Sequence, residues 1–88
     1  MILSDVLRDL DRFSEKDTNT IYAQHPWTPT SLAIVAEQPP DGRLPDLALK
    51  AGFSYFLEVF IAQDFLHDWS GSFDDYCNRI IKYAETDA

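Results

Sequence analysis

The sequence predicts an α+β fold: one domain spanning residues 1–88, with a three-stranded, mainly antiparallel sheet covered by helices in the order α-β-β-α-β-α-α. Three observations carry this reading. Residues 53–69, Phe-Ser-Tyr-Phe-Leu-Glu-Val-Phe-Ile-Ala-Gln-Asp-Phe-Leu-His-Asp-Trp, form the densest apolar run, and their period changes partway from two to 3.6. Residues 32–37, Leu-Ala-Ile-Val-Ala-Glu, read as a strand closed by Pro39-Pro40. Phe73, Tyr76, Cys77, Ile80, Ile81 and Ala84 recur on one side of a helix. A chain of 88 residues has room for one core and little room for a deep substrate cleft.

Residues 4–13 read as the first helix. Ser4 is placed to cap it, and Asp5 suits the positive end of its dipole. Val6, Leu7, Leu10 and Phe13 make the apolar stripe, with Leu3 leading in, while Asp5, Arg8, Asp9, Asp11 and Arg12 alternate in sign outside. The polar stretch 14–20 ends the helix. Residues 21–25 are a short strand candidate closed by Pro26. The link 27–31 is short enough to pair this strand antiparallel with 32–37. Trp27 reads as a lid over the edge of the core, because large aromatics in small domains pack inward; the other reading is a surface anchor. Pro40-Asp-Gly-Arg43 is a turn, and residues 45–50 make one helical turn with Gly52 as its left-handed stop.

The run 53–69 reads two ways. Period two puts Phe53, Tyr55, Leu57 and Val59 on one strand face and Phe56 and Phe60 on the other; period 3.6 puts Phe53, Phe56, Leu57, Phe60, Ile61 and Phe65 on one helix face. Aromatic and β-branched residues after Gly52 favour a strand over 54–60. With both faces apolar, that strand is expected at the centre of the sheet. From Ile61 onward a helix is expected, with Ile61, Phe65, Leu66 and Trp69 inward and Asp64 and Asp68 pointing away. Ser70-Gly71 breaks it. Ser72 then caps the last helix, with Asp75 as a weak capping-box partner and Arg79 and Lys82 toward its negative end. Residues 85–88 are expected to fray.

Fifteen acids against seven bases give a net charge of −8. Nucleic acids and anionic membrane surfaces are poor partners for such a chain, since both are held by Lys and Arg. A basic protein partner is favoured, although acidity also serves plain solubility. One Cys excludes an internal disulfide. The opening Met-Ile-Leu-Ser-Asp lacks the basic and apolar regions of a signal peptide, and no stretch is long enough to span a membrane, so a cytoplasmic location is expected.

Few constellations carry chemistry. Cys77 sits on the apolar side of a helix, away from His25 and His67, and reads as core filler. Asp64, His67 and Asp68 at i, i+3 and i+4 could present metal ligands, but no second cluster of matching type completes a site. Asp74 and Asp75 stand at a helix start and complement its dipole. The three glycines are scattered at 42, 52 and 71, with no phosphate-binding loop. The feature with most weight is a charge void: from Ala51 to Asn78 there is no Lys or Arg, while Glu58, Asp64, Asp68, Asp74 and Asp75 fall within it. These acids are expected to share a surface with His67 and Trp69 and to meet a cationic partner.

Ala48-Leu-Lys-Ala-Gly52, Phe56-Leu-Glu-Val-Phe-Ile-Ala-Gln-Asp64, Phe73-Asp-Asp-Tyr76 and Tyr83-Ala-Glu-Thr-Asp87 together resemble a family of small acidic bacterial proteins of unassigned biochemistry. In size and charge the chain also looks like the immunity proteins of contact-dependent growth inhibition and other polymorphic toxin systems. That resemblance implies binding to a toxin nuclease domain in the producing cell and blockage of its active site. It carries over no contact residues, because immunity interfaces differ between members.

The expected function is therefore that of an immunity protein, not an enzyme, using no cofactor or metal. It would bind a basic toxin domain through Glu58, Asp64, His67, Asp68, Trp69, Asp74 and Asp75, as a monomer or weak homodimer. The alternatives are a small metal-dependent regulator or enzyme using Asp64, His67 and Asp68, or a structural oligomerisation domain.

Overall fold

The computed structural model describes residues 1–13 and 19–87. The elements are α1 (Leu3–Arg8), a 3-10 turn (Leu10–Arg12), β1 (Asn19–Ala23), β2 (Ala33–Glu37), α2 (Asp46–Ala51), β3 (Ser54–Glu58), α3 (Val59–His67) and α4 (Phe73–Asp87). The class is α+β and the order is the one the sequence predicts.

The sheet runs β2-β1-β3, with both pairings antiparallel. Against β2, Ile21 faces Val35 and Ala23 faces Ala33. β1 is the central strand, and β3, expected there, lies at an edge. The expectation rested on consecutive apolar residues in β3, and these have another cause. Ile21 pairs with Leu57 and Tyr22 with Tyr55, so Phe56 is an extra residue at a bulge. Bulges re-aim side chains, and neighbours Phe56 and Leu57 both enter the same core.

The sheet is nonetheless covered on both sides, as β1 shows by alternation. Ile21 and Ala23 join the main core with Leu3, Val6, Leu7 and Leu10 from the N-terminal segment, Val59 and Ala62 of α3, and Tyr76 and Ile80 of α4. Tyr22 joins a smaller cluster with Ala48 of α2 and Phe53, flanked by Ile34, Leu44 and Tyr55. Trp27 is the expected lid: it is buried, meets Phe56 edge to face at 5.0 Å, and donates from Nε1 to the Ala23 carbonyl at 3.2 Å.

Several boundaries differ from the sequence reading, each for a local reason. Ser4 does not cap α1; Ile2 holds the cap position without a side-chain bond, and Ser4 lies inside the helix. Two of the helix's free amides are instead taken by backbone, Leu3 by the Ser31 carbonyl (2.7 Å) and Ser4 by that of Pro29 (2.8 Å). α1 stops at Arg8 and continues as the 3-10 turn, which buries Leu10. The predicted polar exit at 14–18 lies outside the described residues, as does Ala88. α4 holds its helix through Asp87, beyond the expected fraying point, and the Thr86 hydroxyl donates to the Lys82 carbonyl at 3.0 Å. Gly52, at φ 73°, ends α2 as predicted, with the Phe53 amide bonded to the Ala48 carbonyl at 2.9 Å. β3 gives way to α3 at Val59, two positions before the expected Ile61, because Val59 is drawn fully into the core.

Candidate partner-binding groove

Three ties set how α3 is rotated about its axis. Val59 and Ala62 are fully buried in the main core. Gln63, a polar residue, is buried as well: its Nε2 donates to the Leu10 carbonyl at 3.0 Å and to that of Phe13 at 3.4 Å. From α4, the Tyr76 hydroxyl donates to the Ala62 carbonyl at 2.9 Å. The side facing the core is thus centred on 59, 62 and 63. Ile61, Phe65, Leu66 and Trp69 flank it, half-buried and packed against the main core, as the sequence predicts.

The rotation has a consequence for the acids. Asp64 and Asp68 are exposed, as expected, and they border the apolar stripe. Together with Ile61, Phe65 and Trp69 they line one open groove of about 410 Å³. The five positions follow i, i+3, i+4, i+7 and i+8, a single stripe along the helix and just past its end. Phe65 is backed by Tyr83 of α4, with ring centres 4.8 Å apart. Trp69 is fixed by its own donor, Nε1 to the Ser72 carbonyl at 2.9 Å, and by an edge contact with Tyr76 at 6.4 Å. Gly71 lets the indole approach closely, since a Cβ there would sit 3.0 Å from Trp69 Nε1.

The remaining sequence-predicted site residues do not line the groove. Asp74 and Asp75 are exposed in the first turn of α4, where the Asp75 amide donates to the Ser72 hydroxyl at 3.1 Å, the predicted cap. In space this turn is not free of cations: the Arg8 guanidinium lies 4.2 Å from the centre of the Phe73 ring. Glu58 is half-exposed at the β3–α3 junction. The phenol of Tyr55 is pushed up first by burial and then by Glu58. His67 lies toward the 3-10 turn, its Nε2 3.9 Å from an Asp11 carboxylate oxygen. Asp64, His67 and Asp68 therefore do not converge, and among the described residues no three His, Cys, Asp or Glu side chains gather as a metal site. Cys77 occupies the core, as expected. Burial foremost, then the charge of Asp74, push its thiol up to about 11 against the opposing effect of Arg8, so it is protonated at neutral pH.

Ile61 and Phe65 pack against the core as the sequence predicts, and what it did not show is that their half-exposed sides also line the groove. Hydrophobic periodicity carries no signal for this, because the buried residue Gln63 reads as polar. Among the described residues, no helix is long and apolar enough to cross a membrane.

Fold and groove together define a small α+β domain presenting an aromatic-floored, carboxylate-rimmed surface on one helix. No known family, curated protein or solved structure matches this chain.

Proposed function

We propose that this domain is a cytoplasmic binding module of the immunity type, which covers a basic toxin domain and acts by occupying its surface rather than by catalysis. The observation that carries the reading is the α3 groove, where Asp64 and Asp68 stand beside Ile61, Phe65 and Trp69 with no Lys or Arg among the lining residues. A surface of that kind suits an interface core of apolar and aromatic groups with charge at its rim. The net charge of −8 adds long-range attraction for a cationic partner. A nuclease domain fits best, because its phosphate-binding face is basic and carboxylates can stand in for phosphates there.

The test is to sequence the adjoining reading frames and to co-express this chain with the basic C-terminal domain of any secreted polypeptide they encode; adjoining frames that encode none would count against the reading. Growth protection by this chain, lost in the Asp64→Lys/Asp68→Lys variant, is the expected result. A toxin domain that arrests growth equally with and without this chain would overturn the reading.

A further inference from the structure

We infer that the α3 groove is a receptor for an arginine side chain of the partner, with the guanidinium lying on an aromatic ring and held by Asp64 and Asp68. The inference rests on the basic-partner reading above and names which cation the surface selects.

The two carboxylates are one helical turn apart, so their Cβ atoms are about 5–6 Å from one another along one wall. Phe65 and Trp69 hold the same spacing one position further on, giving two rings beside two carboxylates. The Trp69 Nε1–H is already bonded to the Ser72 carbonyl, so the indole makes no polar demand on a partner. Its ring is held in place by Tyr76 and by the turn at Gly71, which lowers the entropy lost on binding.

A guanidinium matches these features and an ammonium does not. It is planar, weakly hydrated and stacks on rings, and its forked donors bridge carboxylate oxygens. A lysine ammonium is compact and strongly hydrated and would give up more water to enter an apolar-floored groove. Among the described residues no cation lines the groove, and the charge of Asp64 and Asp68 faces a partner.

The experiment is an NMR titration of the intact ¹⁵N-labelled chain with blocked tetra-arginine and tetra-lysine peptides at low salt. The expected shifts centre on residues 61–72 and the Trp69 indole, with arginine at least about threefold tighter than lysine. Asp64→Asn/Asp68→Asn, both exposed positions, should weaken the arginine peptide by about tenfold or more, while Asp74→Asn/Asp75→Asn changes it by less than about threefold. Equal binding of the two peptides, or shifts confined to the acids of α1 with the groove silent, overturns the arginine receptor and leaves the basic-partner reading standing. If neither peptide binds at low salt, both readings fall.

Discussion

Gln63 donates from Nε2 to the carbonyl of Leu10, fifty-three positions earlier in the chain, at 3.0 Å. This bond joins α3 to the 3-10 turn and fixes which side of the helix meets the core. Gln63→Leu keeps the bulk and removes the donor. Leu10 keeps its bond from the Phe13 amide, and the substitution also removes the buried Oε1, which has no partner, so the expected net cost is below about 1 kcal/mol. Urea denaturation measures it. Faster hydrogen exchange of the Phe13 amide should accompany the change, and unchanged exchange there would show that the bond does not hold α3.

Tyr76 is the matching tie from α4. Tyr76→Phe removes the hydroxyl bond to the Ala62 carbonyl and leaves the ring packed against Trp69 and Phe73. A loss of about 0.5–1.5 kcal/mol is expected in the same denaturation experiment.

Gly71 governs Trp69. Gly71→Val puts branched carbon where even a Cβ stands 3.0 Å from Trp69 Nε1, so the indole is expected to shift and its bond to the Ser72 carbonyl to weaken. Crowding of this kind costs about 1–3 kcal/mol. Indole NMR shifts and thermal melting report it together. An indole resonance that stays in place would contradict the role given to Gly71.

Alkaline pH should destabilise the fold. Burial raises the Cys77 thiol from 9.0 to about 11 and raises the phenols of Tyr22, Tyr55 and Tyr76 above 10.0. A group whose folded pKa is raised releases its proton first in the unfolded chain. Its contribution is fully present below the unfolded pKa and is lost as pH rises toward the folded one. Stability should therefore begin to fall near pH 9 through Cys77 and more steeply above pH 10 as the phenols join, each adding a slope of up to about 1.4 kcal/mol per pH unit. Urea midpoints from pH 7 to 11 measure this, and Cys77→Ala should remove the earliest part of the decline.

The parts of the fold legible in sequence are those set by local periodicity and turn chemistry. The stripe Tyr76, Cys77, Ile80, Ile81 and Ala84 announces α4, Ser72 its cap, and Gly52 the end of α2. What was hidden depends on contacts distant in sequence. Ser4 looks like a cap, but the amides it would serve are met by the carbonyls of Pro29 and Ser31. The apolar pair Phe56–Leu57 looks like a two-faced central strand, but a bulge sends both to one side. At the candidate site, Asp64, Asp68 and Trp69 were legible as residues that share a surface. The part of Ile61 and Phe65 in that surface was not, because both also pack against the core and periodicity counts them as inward.

The central claim is that α3 presents paired negative charge on an apolar floor to a basic polypeptide. Titration calorimetry of the intact chain, and of its Asp64→Lys/Asp68→Lys variant, against the basic toxin domain identified by the co-expression test above measures it most directly. Runs at about 0.05 and 0.5 M salt span the range in which exposed charges become screened. The account predicts one-to-one binding that weakens as salt rises and falls by about a hundredfold or more on charge reversal. Affinity unchanged by the reversal, and insensitive to salt, would contradict it.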